Sequence, residues 1–134
     1  MSTDAELELI AAADPFVAHA GVEYLEATPT RVVARLALRE QTSNFWGGMQ
    51  GGALMTLADS VGAVCAFLNL PEGSRTATTD SSTRFLRPLT SGFATATATP
   101  VRVGRISIIL DIEIRNDQGA LVVKTSQAQA VIPE

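Results

Sequence analysis

The sequence predicts an α+β fold, a curved antiparallel sheet wrapped around one long central helix. Two patterns and one bound predict it. Between residues 53 and 70 apolar residues run almost all round a helix rather than along one stripe, the mark of a helix buried on most sides. From residue 75 onward the chain becomes strand-rich, in four stretches joined by short turns. With 134 residues, 46% of them hydrophobic and 18% charged, the chain has room for one domain with one modest core. A sheet with one buried face needs a cover, and the long helix is the natural one. The expectation is a single domain over residues 1–134, with residues 1–19 as an N-terminal helical segment.

The elements follow in order. Residues 2–19 read as a short amphipathic helix with Leu7, Ile10, Ala11 and Ala13 on its apolar side. Asp4, Glu6 and Glu8 lie near its N-terminus, where negative charge suits the helix dipole. Asp14-Pro15 interrupts it, because the residue before proline avoids helical backbone, and Phe16 is expected to anchor a second short turn. Residues 22–26 form a strand and 27–29 a turn. Residues 30–38 form a second strand, with Val32, Ala34, Leu36 and Leu38 on one face. Residues 39–43 are loop. A glycine-rich run from Asn44 to Gly52 leads into the long helix, which Pro71-Glu72-Gly73 ends. Residues 75–85 carry Thr76, Thr78, Thr79 and Thr83, with strong β preference. After a turn over 87–92, residues 93–103 alternate alanine and threonine, with Pro100 marking a bulge or an edge. Ile106, Ile108, Leu110, Ile112 and Ile114 line one face of the next strand, Asn116-Asp117-Gln118-Gly119 turns, and residues 121–132 close the sheet. The four strands after the helix are expected to run as an antiparallel meander. Gly52, Ala53, Ala58, Gly62, Ala63 and Ala66 let the sheet curve close to the helix.

Several function classes are set aside by composition. A net charge of −4 offers no basic footprint for nucleic acid. The single cysteine, Cys65, cannot form an intrachain disulfide, and no Cys/His cluster offers a metal site. A Ser–His or Cys–His pair would have to use His19, the one histidine, far in sequence from Cys65. Asp59 at mid-helix and polar flanks argue against a membrane span. The first residues are acidic where a secretory leader would be basic, so a cytoplasmic protein is expected.

Asp59 is the one charge inside the apolar helix, and a buried carboxylate needs a reason. It lies either on a narrow polar side with Thr56, Ser60 and Asn69, or in a cleft as a catalytic carboxylate. The loop before it adds weight to the second. Gly47, Gly48, Gly51 and Gly52 allow close approach to backbone. Free N–H groups at a helix N-terminus suit an anion or a developing oxyanion.

The run Asn44, Gln50-Gly51-Gly52 and Leu57-Ala58-Asp59 resembles the acyl-CoA thioesterases of the hotdog fold, specifically the PaaI-like branch of the 4-hydroxybenzoyl-CoA thioesterase superfamily. Thr78-Thr-Asp80, Phe85-Leu-Arg-Pro88, Gly92, Val103-Gly104-Arg105 and Asn116-Asp-Gln-Gly119 extend the resemblance over the chain beyond the first helix. It implies that Asp59 is nucleophile or general base, that the Gly51 N–H binds the thioester oxygen, that Asn44 positions thioester or water, and that Thr78 orients the carboxylate. It places Gln50, Phe85, Arg87, Arg102, Gly104 and Arg105 along the substrate. It further implies acyl-CoA as substrate, no cofactor, and homodimers with one continuous sheet paired into tetramers. Each active site would take Gly51 and Asn44 from one subunit and Asp59 and Thr78 from the other.

One position departs from the family pattern. Gln50 stands where the family carries histidine, and glutamine can hydrogen-bond but cannot carry a proton near neutral pH. The alternative is therefore a module that binds an acyl-CoA or acyl ligand without turnover. A hotdog dehydratase ranks behind both, since such enzymes need a histidine that His19 is not placed to supply.

Overall fold

A computed structural model describes residues 2–134. Two short helices come first. Thr3 caps α1 (Asp4–Ala13) by accepting from the Glu6 N–H, and Leu7 is its buried residue. Asp14 caps α2 (Pro15–Ala20), with Pro15 at its first turn. Val17, not Phe16, anchors α2: Phe16 is 65% exposed, whereas Val17 is buried. Six residues give a helix too little length to bury two faces. Gly21 ends α2 at φ 93°, and a Cβ there would lie 2.8 Å from the Arg39 guanidinium that donates to Ala20 O.

The strands are β1 (Glu23–Thr28), β2 (Arg31–Ala37), β3 (Arg75–Phe85), β4 (Phe93–Val103), β5 (Ser107–Arg115) and β6 (Leu121–Ile132). They form one antiparallel sheet in the order β1-β2-β4-β5-β6-β3. The expected meander holds for β4, β5 and β6 but not for β3. The segment 86–92 carries the chain from β3 at one edge to β4 beside β2. The reason lies in the helix: α3 (Gly51–Phe67) crosses the sheet between β2 and β3, so β3 enters on the far side and pairs with β6. Pro100 does mark a bulge, between Pro100 and Arg102, and β3 carries another between Thr78 and Asp80. Ile106 falls outside β5 and is exposed.

α3 packs against all six strands in the hotdog arrangement. Its buried side is Leu54, Leu57, Ala58, Val61, Gly62, Cys65 and Ala66, facing Ala94, Ala96 and Ala98 of β4 and Ile108, Leu110, Ile112 and Ile114 of β5. Alanines on β4 beside branched residues on β5 set a small layer next to a large one. The helix is not enclosed all round, however. Met55, Asp59 and Phe67 are exposed and Ala63 is half-buried, a stripe at four-residue spacing. Among the described residues no helix is long and apolar enough to cross a membrane.

Candidate active site

Two groups of functional residues lie at different levels of α3. At its first turn, the Asn44 Oδ1 accepts from the N–H groups of Trp46 at 2.8 Å and Gly48 at 3.1 Å, while the Asn44 N–H donates to Gly48 O at 2.7 Å. This closes the 44–48 turn, with Gly47 at φ 88°. Gln50 then caps α3, its Oε1 accepting from the Ala53 N–H at 3.2 Å. Among the described residues the Gly51 N–H meets no acceptor. It stands at the helix N-terminus with the dipole behind it. A cavity of about 390 Å³ opens there, lined by Asn44, Gly51, Leu54, Phe85 and Arg87. The Arg87 Nε–H donates to Leu121 O at 2.9 Å, which fixes the guanidinium at the rim.

Asp59 sits in the middle of the same helix. Its Oδ1 accepts from the Thr78 hydroxyl at 2.8 Å and from the Gln127 Nε2 at 2.7 Å. Sequence reasoning paired Asp59 with Thr78 and did not find Gln127. The signal was available: alternation along β6 puts Gln127 and Gln129 in phase with Val123, on the inward face. Asp59 opens onto a second cavity, about 320 Å³, whose walls include Ile10 and Val17 of the N-terminal helices, Tyr24, Val64 and Phe67. Burial pushes the Tyr24 phenol well above its ordinary value, Asp14 and Asp59 push the same way, and the Ser60 hydroxyl opposes them. The cavity therefore presents mainly apolar walls, with the protonated Tyr24 phenol, the Ser60 hydroxyl and the Asp14 and Asp59 carboxyls as its polar groups. Cys65, buried in the core, is pushed up to about 11 by its burial and is a packing residue.

The remaining residues of interest lie apart from these two groups. Gln50 faces a third cavity, about 460 Å³, whose lining also includes His19, Arg39 and Thr56. Arg102, Gly104 and Arg105 line none of these cavities; Arg102 lies near the end of β4, and Gly104 and Arg105 form the β4–β5 turn, closed by the Gly104 N–H donating to Ser107 O at 2.8 Å. That turn borders the Arg75–Thr78 end of the sheet through Val131, whereas Arg87 borders the opposite end through Leu121. Among the described residues no group of three His, Cys, Asp or Glu side chains could hold a metal ion.

This geometry, a hydrogen-bonded carboxylate at a mainly apolar cavity and a free helix N-terminus, goes with the result of comparison with known proteins. The thioesterase superfamily profile matches residues 47–123. This chain belongs to the thioesterase superfamily. It is a thioester hydrolase. The proofreading thioesterase EntH of Klebsiella pneumoniae is 27% identical over 103 residues, 77% of this chain and 75% of that protein. The crystal structure of the thioesterase HI1161 of Haemophilus influenzae superposes with a TM-score of 0.91 at 28% identity, covering 99% of this chain and 92% of the other. A hypothetical thioesterase of Streptococcus pneumoniae, solved with coenzyme A, shares the fold at TM-score 0.79 and 21% identity, with 98% of each chain covered. The superfamily profile spans the Gly51 turn, Asp59, Thr78 and Arg87, but stops just short of Gln127.

Proposed function

We propose that this protein hydrolyses acyl-CoA thioesters at sites shared between two copies of the chain, each taking Asp59 and Thr78 from one copy and Gly51 and Asn44 from the other. The observation that carries this reading is the position of Asp59, an anchored carboxylate at the mouth of an apolar cavity. The acyl group occupies that cavity. Asp59, acting as general base, takes a proton from water as the water oxygen bonds to the thioester carbon. The carbonyl electron pair moves onto oxygen, where the Gly51 N–H of the second copy holds it. Collapse of the tetrahedral species breaks the C–S bond and the thiol leaves, with the proton returned from Asp59. Acting as nucleophile instead, the same carboxylate would form an anhydride and expel the thiolate, and water would then cleave the anhydride. The thiol needs no strong general acid, because its ordinary pKa is about 8.5. Gln50 serves as a helix cap in either route, so turnover does not depend on its titrating.

Distance argues for two copies. Gly51 and Asp59 are eight residues apart on one helix, about 12 Å along its axis at 1.5 Å per residue. One thioester needs its attacking group and its oxyanion donor on the same carbonyl, each about 3 Å from the reacting atoms. The two edges of the sheet support the same reading. β1 is short and backed by α1. β3 is eleven residues long, carries no proline or lysine, and is exposed along most of its length. A long open edge of that kind is a template for pairing. Antiparallel pairing of β3 with its copy, centred near Asp80, sets the Thr78 end of one chain against the Phe85 end of the other. The arginines of the β4–β5 turn and Arg87 of the second copy then reach one end of the joint sheet, where the phosphates of CoA require cations.

Mixed dimers test the arrangement. Asp59→Asn removes the base. Gly51→Pro removes the N–H at the first helical position, where proline is tolerated and where the extended Gln50 already suits a following proline. Each homodimer should be inactive toward a panel of acyl-CoAs. A mixed dimer carries one doubly broken site and one intact site, and should recover about half of wild-type turnover per dimer, a value that follows from counting intact sites. No recovery in a verified mixed dimer would place the whole site within one chain and defeat the proposal.

A further inference from the structure

β6 turns two carboxamides into the core: Gln127 is 1% exposed and Gln129 is fully buried. Such groups are costly unless paired. The Thr76 hydroxyl lies 3.0 Å from Gln129 Oε1. Gln129 Nε2 donates to Gln127 Oε1 at 3.0 Å and to Thr78 Oγ1 at 2.7 Å. Gln127 Nε2 and the Thr78 hydroxyl both end on Asp59 Oδ1.

The direction of this chain follows from chemistry. A carboxylate only accepts, so Gln127 must turn its NH₂ toward Asp59. Its Oε1 then faces Gln129, which must donate in turn. Reversing either amide would set oxygen against oxygen or NH₂ against NH₂. The two routes from Gln129, through Gln127 and through Thr78, converge on one oxygen. Among the described residues no donor meets Oδ2. Gly62 makes the room: a Cβ there would lie 1.9 Å from Gln127 Oε1.

We propose that Gln127 and Gln129 are positioning residues that hold Asp59 by Oδ1 and so present Oδ2 as the oxygen that reacts. The inference rests on the reading of Asp59 as the reacting carboxylate and assigns the β6 glutamines a part in it. They touch neither thioester nor water. They act by restricting the carboxylate to one rotation, and small misplacements of a reacting group are expensive in rate.

The test is steady-state and pH-dependent kinetics of the full-length oligomer with whichever acyl-CoA it turns over best. Gln127→Leu should lower kcat by about 10- to 100-fold with KM within about twofold. Combined with Thr78→Val it should lose less than the product of the two single effects, because both donors serve one oxygen. Gln127→Glu places a second carboxylate against Asp59, and the pair should share a proton. The acidic limb of kcat/KM should then move to higher pH. A kcat for Gln127→Leu within twofold of wild type, or a change confined to KM, overturns the proposal. If Gln127→Leu fails to fold, the side-chain amide resonances of Gln127 decide: they should shift and exchange faster in Asp59→Ala than in wild type, and unchanged resonances overturn the proposal. Failure of the underlying reading looks different, because Asp59→Asn would then retain turnover whatever Gln127 does.

Discussion

The first turn of α3 and its middle make an instructive pair, because they are built from different materials. The first turn is backbone. Asn44 folds the loop, Gln50 caps the helix, and the Gly51 N–H is left over. Its partners from far away in sequence are few and lie in one segment: the Met49 N–H donates to Leu89 O at 2.9 Å, and Phe85 and Arg87 flank the opening. The middle is side chain. Asp59 is aimed by Thr78, 19 residues away, and by Gln127, 68 residues away. A donor made of backbone is fixed once the helix starts, whereas a carboxylate on an exposed helix face needs outside partners to stop it rotating. The helix therefore carries one group that is specified locally and one that is specified globally.

That contrast can be broken from either side. The largest effect is expected for Asp59→Asn, which should lower kcat by about 10²- to 10⁴-fold, the span of a lost acid–base group. Thermal melting and size-exclusion chromatography should show an unchanged fold and oligomer. Gly51→Pro comes next, with a loss of about 10²- to 10³-fold in kcat, as for an oxyanion donor, and little change in Tm.

Gly62→Ala attacks the middle through packing alone. Its Cβ would meet Gln127 Oε1 at 1.9 Å and the Ile112 Cδ1 at 2.9 Å. It should destabilise by about 1–3 kcal/mol in denaturant unfolding and lower kcat as Gln127 is displaced. Asn44→Asp sharpens the first turn instead. Aspartate keeps the oxygen that holds Trp46 and Gly48 but loses the Nδ2 donor. Unchanged stability with kcat down about tenfold, the usual size of one lost hydrogen bond, would show that Asn44 acts on substrate as well as on its loop. A wild-type kcat would make it a loop residue only.

The smallest effect is a control on the solvent face of the sheet, where Lys124 touches neither Gly51 nor Asp59. Lys124 lies 2.8 Å from Asp111 Oδ2 and 3.1 Å from Glu113 Oε2. Hydrogen bonds from Arg115 and then Lys124 hold the Glu113 carboxyl below its ordinary value of 4.5, and the Asp111 hydrogen bond holds Lys124 above its ordinary 10.5. A depressed carboxyl stabilises above its unfolded value and loses that contribution as pH falls. A raised lysine stabilises below its unfolded value and loses it as pH climbs. Both contributions are therefore complete between about pH 4.5 and 10.5. Lys124→Met should cost about 0.5 kcal/mol in that window, given exposed and screened partners. The difference should shrink in acid, and turnover should not change.

Much of this was legible in the linear chain. The glycine turn, the apolar helix and the alternation of β4 to β6 are local patterns, and the α+β architecture follows from them. The resemblance carried by Asn44, Gly51 and Asp59 pointed to thioester chemistry, and family membership bears that out. The place of β3 was not legible, because which neighbour a strand takes depends on where a crossing helix delivers it. Nor was the open stripe on α3: Met55, Asp59 and Phe67 are apolar or isolated in sequence, and only the finite width of the sheet leaves that side of the helix bare.

By itself, the sequence determined the elements and the turns between them. Those depend on backbone preference and hydrophobic period, which act over a few residues. Only the tertiary structure decided that β3 forms a free edge and that Gln127 and Gln129 close on Asp59. Each of those depends on the distance between groups remote in sequence, which no local propensity encodes until helix and sheet are packed together.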